Sequence, residues 1–153
     1  MLKQQIEQFL TEKRVAFVGG SRQPGKFGNT VYKQLRKSGY DLHPIHPEAD
    51  SIEGDACVRS VRELPGDVHA LMAIARLRVI ASVLSEVPES NISSLWVFWG
   101  PDKHPEIEAE LDRLRASGVS VISGYCPCMF IEPVGSFHAL HRFFARLLGK
   151  YPK

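Results

Sequence analysis

The chain has 153 residues, a length that suits one domain with a sizeable core and makes a second catalytic domain unexpected. Its 19 basic and 17 acidic residues give a net charge of +2, which argues against nucleic acid as a partner because phosphate-backbone binding needs a basic excess. No apolar run approaches the roughly 20 residues that span a bilayer, and the N-terminus is polar, so we expect no membrane contact and a cytoplasmic location.

The N-terminal part of the chain predicts a helix, a buried strand and a second helix, with a glycine-rich loop between the last two. Apolar residues recur at helical spacing over residues 1–12, which indicates an N-terminal packing helix. The apolar run 14–18 is typical of a central strand in a parallel sheet. After the glycine loop, residues 29–37 predict a helix that ends before Gly39.

The rest of the chain alternates strands and helices in the same way. Strands are predicted over residues 41–45, 68–75, 94–99 and 119–122, with a short edge strand at 56–58, and helices over residues 79–87, 105–117 and 136–148. This alternation predicts a single α/β domain over residues 1–153, with a doubly wound, mostly parallel sheet of five to six strands and helices on both faces. In such sheets a ligand binds at the carboxyl ends of the strands, where the glycine loop lies.

The loop that begins at Gly19-Gly20-Ser21 has the features of a phosphate site. A strand that breaks at two glycines and re-enters a helix presents backbone N–H groups and the positive end of the helix dipole to an anion. The dinucleotide fingerprint G-x-G-x-x-G is absent, because a longer excursion leads to Gly28, and the second strand ends in His46 where an NAD site has a carboxylate. Without that carboxylate the site has no clear means of binding an unmodified ribose diol, and the imidazole or the nearby Lys26 would tolerate an additional phosphate instead, so NAD is the weaker candidate and NAD(P) is placed after CoA.

Several motifs together resemble the small stand-alone CoA-binding domain proteins, which are similar to the nucleotide-binding domain of succinyl-CoA synthetase. They are Gly19-x-Ser21, Gly28-Asn29, Pro44-Ile45-His46-Pro47 and Cys126-Pro127. The resemblance covers roughly residues 14–127 and implies a Rossmann-like CoA-binding fold. It implies that Gly19, Ser21 and the turn 27–29 cradle phosphate, and that the segment 44–47 lies against the adenosine end. The family commonly has Asn where this chain has His46.

Further strand tips add candidates for the path of the pantetheine arm, namely Arg76 and the Trp99-Gly100 turn. The predicted cofactor-binding residues are Gly19, Gly20, Ser21, Lys26, Phe27, Gly28, Asn29, His46, Pro47, Arg76, Gly100 and Cys126. Several have a structural interpretation beside the functional one: the glycines also suit a tight turn, and Lys26 also suits a solvated loop charge. Both tryptophans, Trp96 and Trp99, are expected to fill core or interface space.

The thiols near the last strand offer a second kind of chemistry. Cys126 and Cys128 supply, with His138 and His141, four ligands of the type that zinc prefers. Their spacing is not that of the usual zinc hooks, so we expect packing roles and no metal. Nucleophilic catalysis by Cys126 would need a base in reach and a lowered thiol pKa. A mixed disulfide with the thiol of CoA is a further hypothesis, and a structural thiol is the simplest interpretation.

These observations predict a module that binds CoA, acyl-CoA or a related adenine nucleotide without catalysing its turnover, because no convincing acid, base and nucleophile accompany the phosphate loop. The alternative is a nucleotide-dependent enzyme, either an NAD(P)-linked oxidoreductase or a CoA-transferring subunit that acts with a partner. A third hypothesis makes the aromatic tail a homodimer or partner surface. The residues of that tail are Phe130, Phe137, Phe143 and Phe144.

Overall fold

The computed structural model of the protein describes residues 1–100, 104–132, 136–147, 149 and 151–152. The helices are α1 (Leu2–Thr11), α2 (Phe27–Lys37), α3 (Leu77–Glu86), α4 (Pro105–Ala116) and α5 (Ser136–Leu147). The strands are β1 (Arg14–Val18), β2 (Asp41–Ile45), β3 (Ser51–Ile52), β4 (Asp55–Ala56), β5 (Ala70–Ile74), β6 (Ser94–Phe98) and β7 (Ser120–Ser123). Short 3₁₀ turns cover Val61–Glu63, Val87–Glu89 and Pro127–Met129.

Five strands form one parallel sheet in the order β2-β1-β5-β6-β7. The predicted α/β, doubly wound arrangement is confirmed, with five strands. All five residues of β5 are buried, as expected of a central strand covered on both faces. The chain runs from β1 outward to β2 and then returns to the other side of β1 as β5. The carboxyl ends of β1 and β5 therefore lie side by side at the switch point where doubly wound sheets bind ligands.

Alternate residues of each strand feed two separate cores. Phe17 points toward α1 and α2, where its ring meets Tyr32 edge-on at a centroid distance of 5.2 Å. Trp96 lies in the same core, fully buried against Phe9 of α1 at 5.4 Å, as expected for a core tryptophan. The opposite face packs against α3 and α4, which contribute buried residues such as Leu84 and Leu111. No helix in the described ranges is long and apolar enough to cross a membrane.

The expected edge strand at 56–58 is not a strand of the main sheet. Residues 51–56 instead form a small antiparallel hairpin, β3-β4, and Val58 makes a single parallel bridge to Ile45. The two residues of the hairpin turn, Glu53 and Gly54, both have positive φ, at 50° and 90°. A two-residue turn of this kind matches the right-handed twist of its strands. Glutamate is an uncommon residue at positive φ, so the turn had no clear sequence signal.

Candidate functional site

Three backbone segments meet at the start of the glycine loop. Gly19 has φ +119°, and a Cβ atom there would lie 1.9 Å from the carbonyl oxygen of Ile74 at the end of β5. A Cβ atom on Gly28, in the first turn of α2, would lie 1.9 Å from the carbonyl oxygen of Gly19. Both positions therefore require glycine, because β1, β5 and α2 approach each other more closely than any side chain allows. This contact brings the N-terminus of α2 to the switch point.

Asn29 holds the glycine loop from beneath. Its side-chain oxygen accepts a hydrogen bond from the backbone N–H of Ser21 at 2.8 Å, and its amide nitrogen donates to the Ser21 carbonyl at 2.9 Å and to Glu53 at 2.7 Å. The Asn29 residue is only 2% exposed. Since both amide protons and the oxygen are engaged inside the protein, Asn29 positions the loop. The hydrogen bond from the Asn29 amide to Glu53 is also the main cause that lowers the pKa of Glu53.

The N-terminus of α2 carries the anion-binding features of the site. Its N-cap residue is Lys26, no side chain caps the helix, and the first turn holds no acidic residue. The backbone N–H groups of the first turn, which begins at Phe27, are therefore available to an anion. Lys26 and Arg76, the N-cap of α3, are both exposed and form no ion pair with any described residue.

A cavity of about 420 Å³ lies on the β2 side of this helix terminus. We call it the β2-side cavity. Gly19 and Gly20 form one wall, and the buried side chains of Ile45, Val61 and Val83 give it an apolar floor. Its polar lining consists of His46, Arg59, Arg78, Ser82 and Glu86. A volume of this size falls in the range of pockets that bind small molecules.

His46 has a defined tautomer at the mouth of the β2-side cavity. Its Nδ1 atom accepts hydrogen bonds from the backbone N–H groups of Glu48 at 3.1 Å and Ala49 at 2.8 Å. The ring proton is therefore assigned to Nε2, which leaves a donor for a ligand. Burial lowers the pKa of His46, and the charges of Arg22 and Arg59 lower it further against the opposing effect of Glu48. The imidazole thus caps a turn as an asparagine side chain would.

We expect this histidine to make stability depend on pH. Because the pKa of His46 is lower in the folded protein than its ordinary 6.5, the unfolded chain binds the proton more tightly. The contribution is complete above that ordinary value and is lost as pH falls through the folded pKa. Between about pH 7.5 and pH 5 the melting temperature of the wild type should therefore fall more than that of His46→Asn. The amide oxygen of the asparagine accepts the same hydrogen bonds but does not titrate. Parallel curves for the two proteins would contradict this assignment.

A second cavity of about 340 Å³ lies on the other side of the α2 terminus, above β5 and β6. We call it the β6-side cavity. Its lining residues are Phe27, Gly28, Ile74, Ala75, Arg76, Phe98, Trp99 and Gly100. The two cavities share Ala75 and lie on either side of the glycine loop at the carboxyl edge of the sheet, and we call the pair the groove.

The structure brings most of the predicted site residues to this groove. The β2-side cavity holds Gly19, Gly20, His46 and Pro47, and the β6-side cavity holds Phe27, Gly28, Arg76 and Gly100. Ser21 and Lys26 lie in the loop between them, where the Ser21 hydroxyl accepts a hydrogen bond from the N–H of Gln23 at 3.1 Å. Asn29 lies below the loop, and Cys126 lines neither cavity.

Sequence reasoning missed four polar residues of the groove, Arg59, Arg78, Ser82 and Glu86. Arg78 and Ser82 lie on α3, one turn apart, and a helical-face argument applied to the helix after Arg76 would have found them. Arg59 had no such signal, because its position depends on the path of the connection from β4 to β5. There its guanidinium donates to the Ala49 carbonyl at 2.7 Å and pairs with Asp50 at 2.6 Å.

The two cysteines of the last loop belong to the core. Cys126 is 9% exposed and Cys128 is fully buried. The nearby Cys128 side chain lowers the pKa of Cys126, whereas Cys126 and burial raise the pKa of Cys128. Within the described part of the chain no group of three or more metal-binding side chains comes together. The side chains of His138 and His141, the remaining ligands of the zinc alternative, lie outside the described residues.

The described residues of the aromatic tail lie in two different environments. Phe130 packs inward, with ring centroids 5.7 Å from Trp96 and 5.4 Å from Tyr151. Phe143 is 59% exposed on α5. The side chains of Phe137 and Phe144 lie outside the described residues, and the homodimer stays a prediction.

Comparison with known proteins places this chain in a family. Residues 13–132 match the family model described as CoA binding domain. The Bacillus subtilis protein YneT is 29% identical over 125 residues, which cover 81% of this chain and 90% of that protein. The ADP-forming acetate-CoA ligase I of Archaeoglobus fulgidus is 28% identical over 109 residues, which cover 71% of this chain but 16% of the ligase.

Solved structures share the fold. A conserved hypothetical protein from Pyrococcus furiosus is 35% identical, with a TM-score of 0.65 over 74% of this chain and 95% of that one. A protein from Thermus thermophilus is 26% identical, with a TM-score of 0.69 over 82% of this chain and 93% of that one. The family model covers most of the chain, so the resemblance noted in the sequence is confirmed. The chain therefore belongs to the CoA-binding domain family.

Proposed function

We propose that the protein binds CoA or a CoA thioester in the groove without catalysing its turnover. The observation that carries this proposal is the uncapped N-terminus of α2, which lies between two cavities and beside two cations, Lys26 and Arg76, that form no ion pair with any described residue. A diphosphate at this terminus accepts hydrogen bonds from backbone N–H groups and is stabilised by the helix dipole. One cavity then receives the adenosine and the other receives the pantetheine arm.

The β2-side cavity suits the adenosine end. Its floor is apolar, and His46 presents an Nε2–H donor at its mouth. The carboxylates nearby are engaged: Glu48 pairs with Arg22 at 3.1 Å, and Glu86 accepts a hydrogen bond from the Val61 N–H at 2.9 Å. Glu86 is the one carboxylate among the described residues that line this cavity, and it lies on α3 and not at the tip of β2, where an NAD site has its ribose-binding carboxylate. The cationic lining favours a phosphorylated ribose, which CoA has.

A binding role rather than catalysis is supported by the chemistry of the groove. Ser82 is the one serine among the described residues that line the groove, and its hydroxyl is not hydrogen-bonded to a base. Cys126, the other nucleophile considered, lies in the core. A serine whose hydroxyl is not hydrogen-bonded to a base is weakly activated as a nucleophile.

The second candidate is a CoA-transferring subunit that acts with a partner, and the comparisons favour it over an NAD(P) enzyme. The alpha subunit of the ADP-forming acetate-CoA ligase II of Pyrococcus furiosus is 24% identical over 91 residues, which cover 20% of that subunit. Because the chain spans only a small part of such ligases, any transfer reaction would need residues supplied from elsewhere. Mass spectrometry of protein isolated from cells distinguishes the candidates, since a covalently acylated or phosphorylated chain would support transfer.

Titration calorimetry with CoA, acetyl-CoA, NAD and NADP tests the proposal directly. We expect heat of binding with the CoA species, and an increase of about tenfold in the dissociation constant for CoA in Arg76→Ala, because an unpaired cation beside the phosphates is lost. Arg113→Ala is the matched control: Arg113 is an exposed arginine on α4 that pairs with Glu110 at 2.9 Å, away from the groove. Binding of a dinucleotide without binding of CoA would overturn the proposal.

A further inference from the structure

We infer that the β6-side cavity is an acyl-group subsite that selects an aromatic or bulky apolar thioester over acetyl-CoA. This inference rests on the proposed function, because it takes the phosphates of the ligand to lie at the N-terminus of α2. It concerns a different part of the groove from the phosphate and adenosine contacts, and it is tested separately.

The position of the cavity along the sheet assigns it to the acyl end of the ligand. The adenosine occupies the cavity at the β2 tip, so the pantetheine arm leaves the diphosphate in the opposite direction, past β5 toward β6. Neighbouring strands are about 4.8 Å apart, so the path from the β1 loop to the β6 tip is about 10 Å. An extended pantetheine arm crosses that distance and brings its thioester to the turn formed by Phe98, Trp99 and Gly100.

The lining of this cavity is aromatic. Phe27 is 42% exposed although it is a large apolar side chain, and its ring centroid lies 6.2 Å from that of Phe98 with a tilt of 56° between the planes. Trp99 follows Phe98 directly and is half-buried, with its ring 6.4 Å from His104. Aromatic surfaces arranged at tilted angles bind another ring or a bulky apolar group well, whereas an acetyl group covers little of their area.

The charges around the cavity agree with an uncharged acyl group. Arg76 is the one ionised side chain among the described lining residues, and it follows β5, on the side of the cavity nearest the phosphate loop. We assign it to the phosphates, and the described lining at the Phe98–Gly100 end of the cavity is then apolar. A Cβ atom on Gly100 would meet no described atom within 4 Å.

Calorimetry with CoA, acetyl-CoA, succinyl-CoA and benzoyl-CoA tests this subsite. We expect benzoyl-CoA to bind at least about tenfold more tightly than acetyl-CoA. In Phe27→Ala this preference, taken as the ratio of the two dissociation constants measured on that variant, should fall to about threefold or less. Phe143→Ala, which truncates another exposed phenylalanine on a helix outside the groove, should keep the preference.

The outcomes separate the two proposals. If CoA itself does not bind, the proposed function fails. If CoA binds but benzoyl-CoA binds no more tightly than acetyl-CoA, or succinyl-CoA binds most tightly of all, the acyl subsite alone is overturned.

Tryptophan fluorescence gives an independent measurement that needs no truncation at Phe27. Benzoyl-CoA should change the emission of the wild type. The substitution Trp99→Phe should abolish that change, because Trp96 is fully buried in the other core. A change that persists in Trp99→Phe would also overturn the subsite.

Discussion

Replacing Gly28 with alanine should lower the free energy of unfolding by about 3 kcal/mol. Intrinsic propensity predicts the opposite sign, since alanine is favoured over glycine within a helix by up to about 1 kcal/mol. The new Cβ atom would lie 1.9 Å from the carbonyl oxygen of Gly19, and this neighbour is backbone that cannot rotate away. The helix terminus must therefore move off β1, so binding of CoA should weaken together with stability.

Chemical denaturation of Gly28→Ala beside Gly66→Ala measures this effect. A Cβ atom on Gly66 would meet only the amide nitrogen of Asn91 at 3.6 Å, an ordinary contact, so the control should change stability by no more than about 0.5 kcal/mol. Calorimetry with CoA at a temperature where the variant is folded separates lost binding from lost stability. A Gly28→Ala protein as stable as the wild type would show that α2 and β1 are not in close contact.

Removing the side chain of Asn29 should cost about 2 kcal/mol of stability and weaken CoA binding by about tenfold or more. Alanine leaves the Ser21 N–H without its acceptor at a position where the Asn29 side chain now excludes water. The carbonyl of Ser21 loses its donor at the same time, so the glycine loop is no longer held above α2. Asn29 touches the loop rather than the groove, so the loss of affinity reports loop position.

Two further variants make this interpretation specific. Asn29→Asp keeps an acceptor for the Ser21 N–H but removes the donor to Glu53 and sets two carboxylates against each other, so it should be as damaging as alanine. Asn91→Ala is the control: this exposed asparagine donates one hydrogen bond to the Gly66 carbonyl at 3.2 Å, and its loss should change stability by no more than about 0.5 kcal/mol. Unchanged CoA affinity in Asn29→Ala would remove Asn29 as a positioning residue.

The three residues of the turn 27–29 have different roles, which their residue types alone did not indicate. The sequence motif groups Phe27, Gly28 and Asn29 as one phosphate cradle. In the structure Phe27 lines the β6-side cavity, Gly28 permits the close approach to β1, and Asn29 is buried under the loop. Three adjacent residues of a helix point in three directions, so each meets a different part of the fold.

What the sequence by itself determined was the fold class, and with it the edge of the sheet where the candidate site is proposed. Buried strands and amphipathic helices leave local patterns of apolar residues, and the break at Gly19-Gly20 after a buried strand marks the carboxyl edge of a parallel sheet. Only the tertiary structure decided what the individual side chains do. It buries Cys126 in the core, brings Arg59 to the groove through the connection from β4 to β5 and engages Asn29 with Glu53, since each of these placements depends on residues that are not neighbours in the chain.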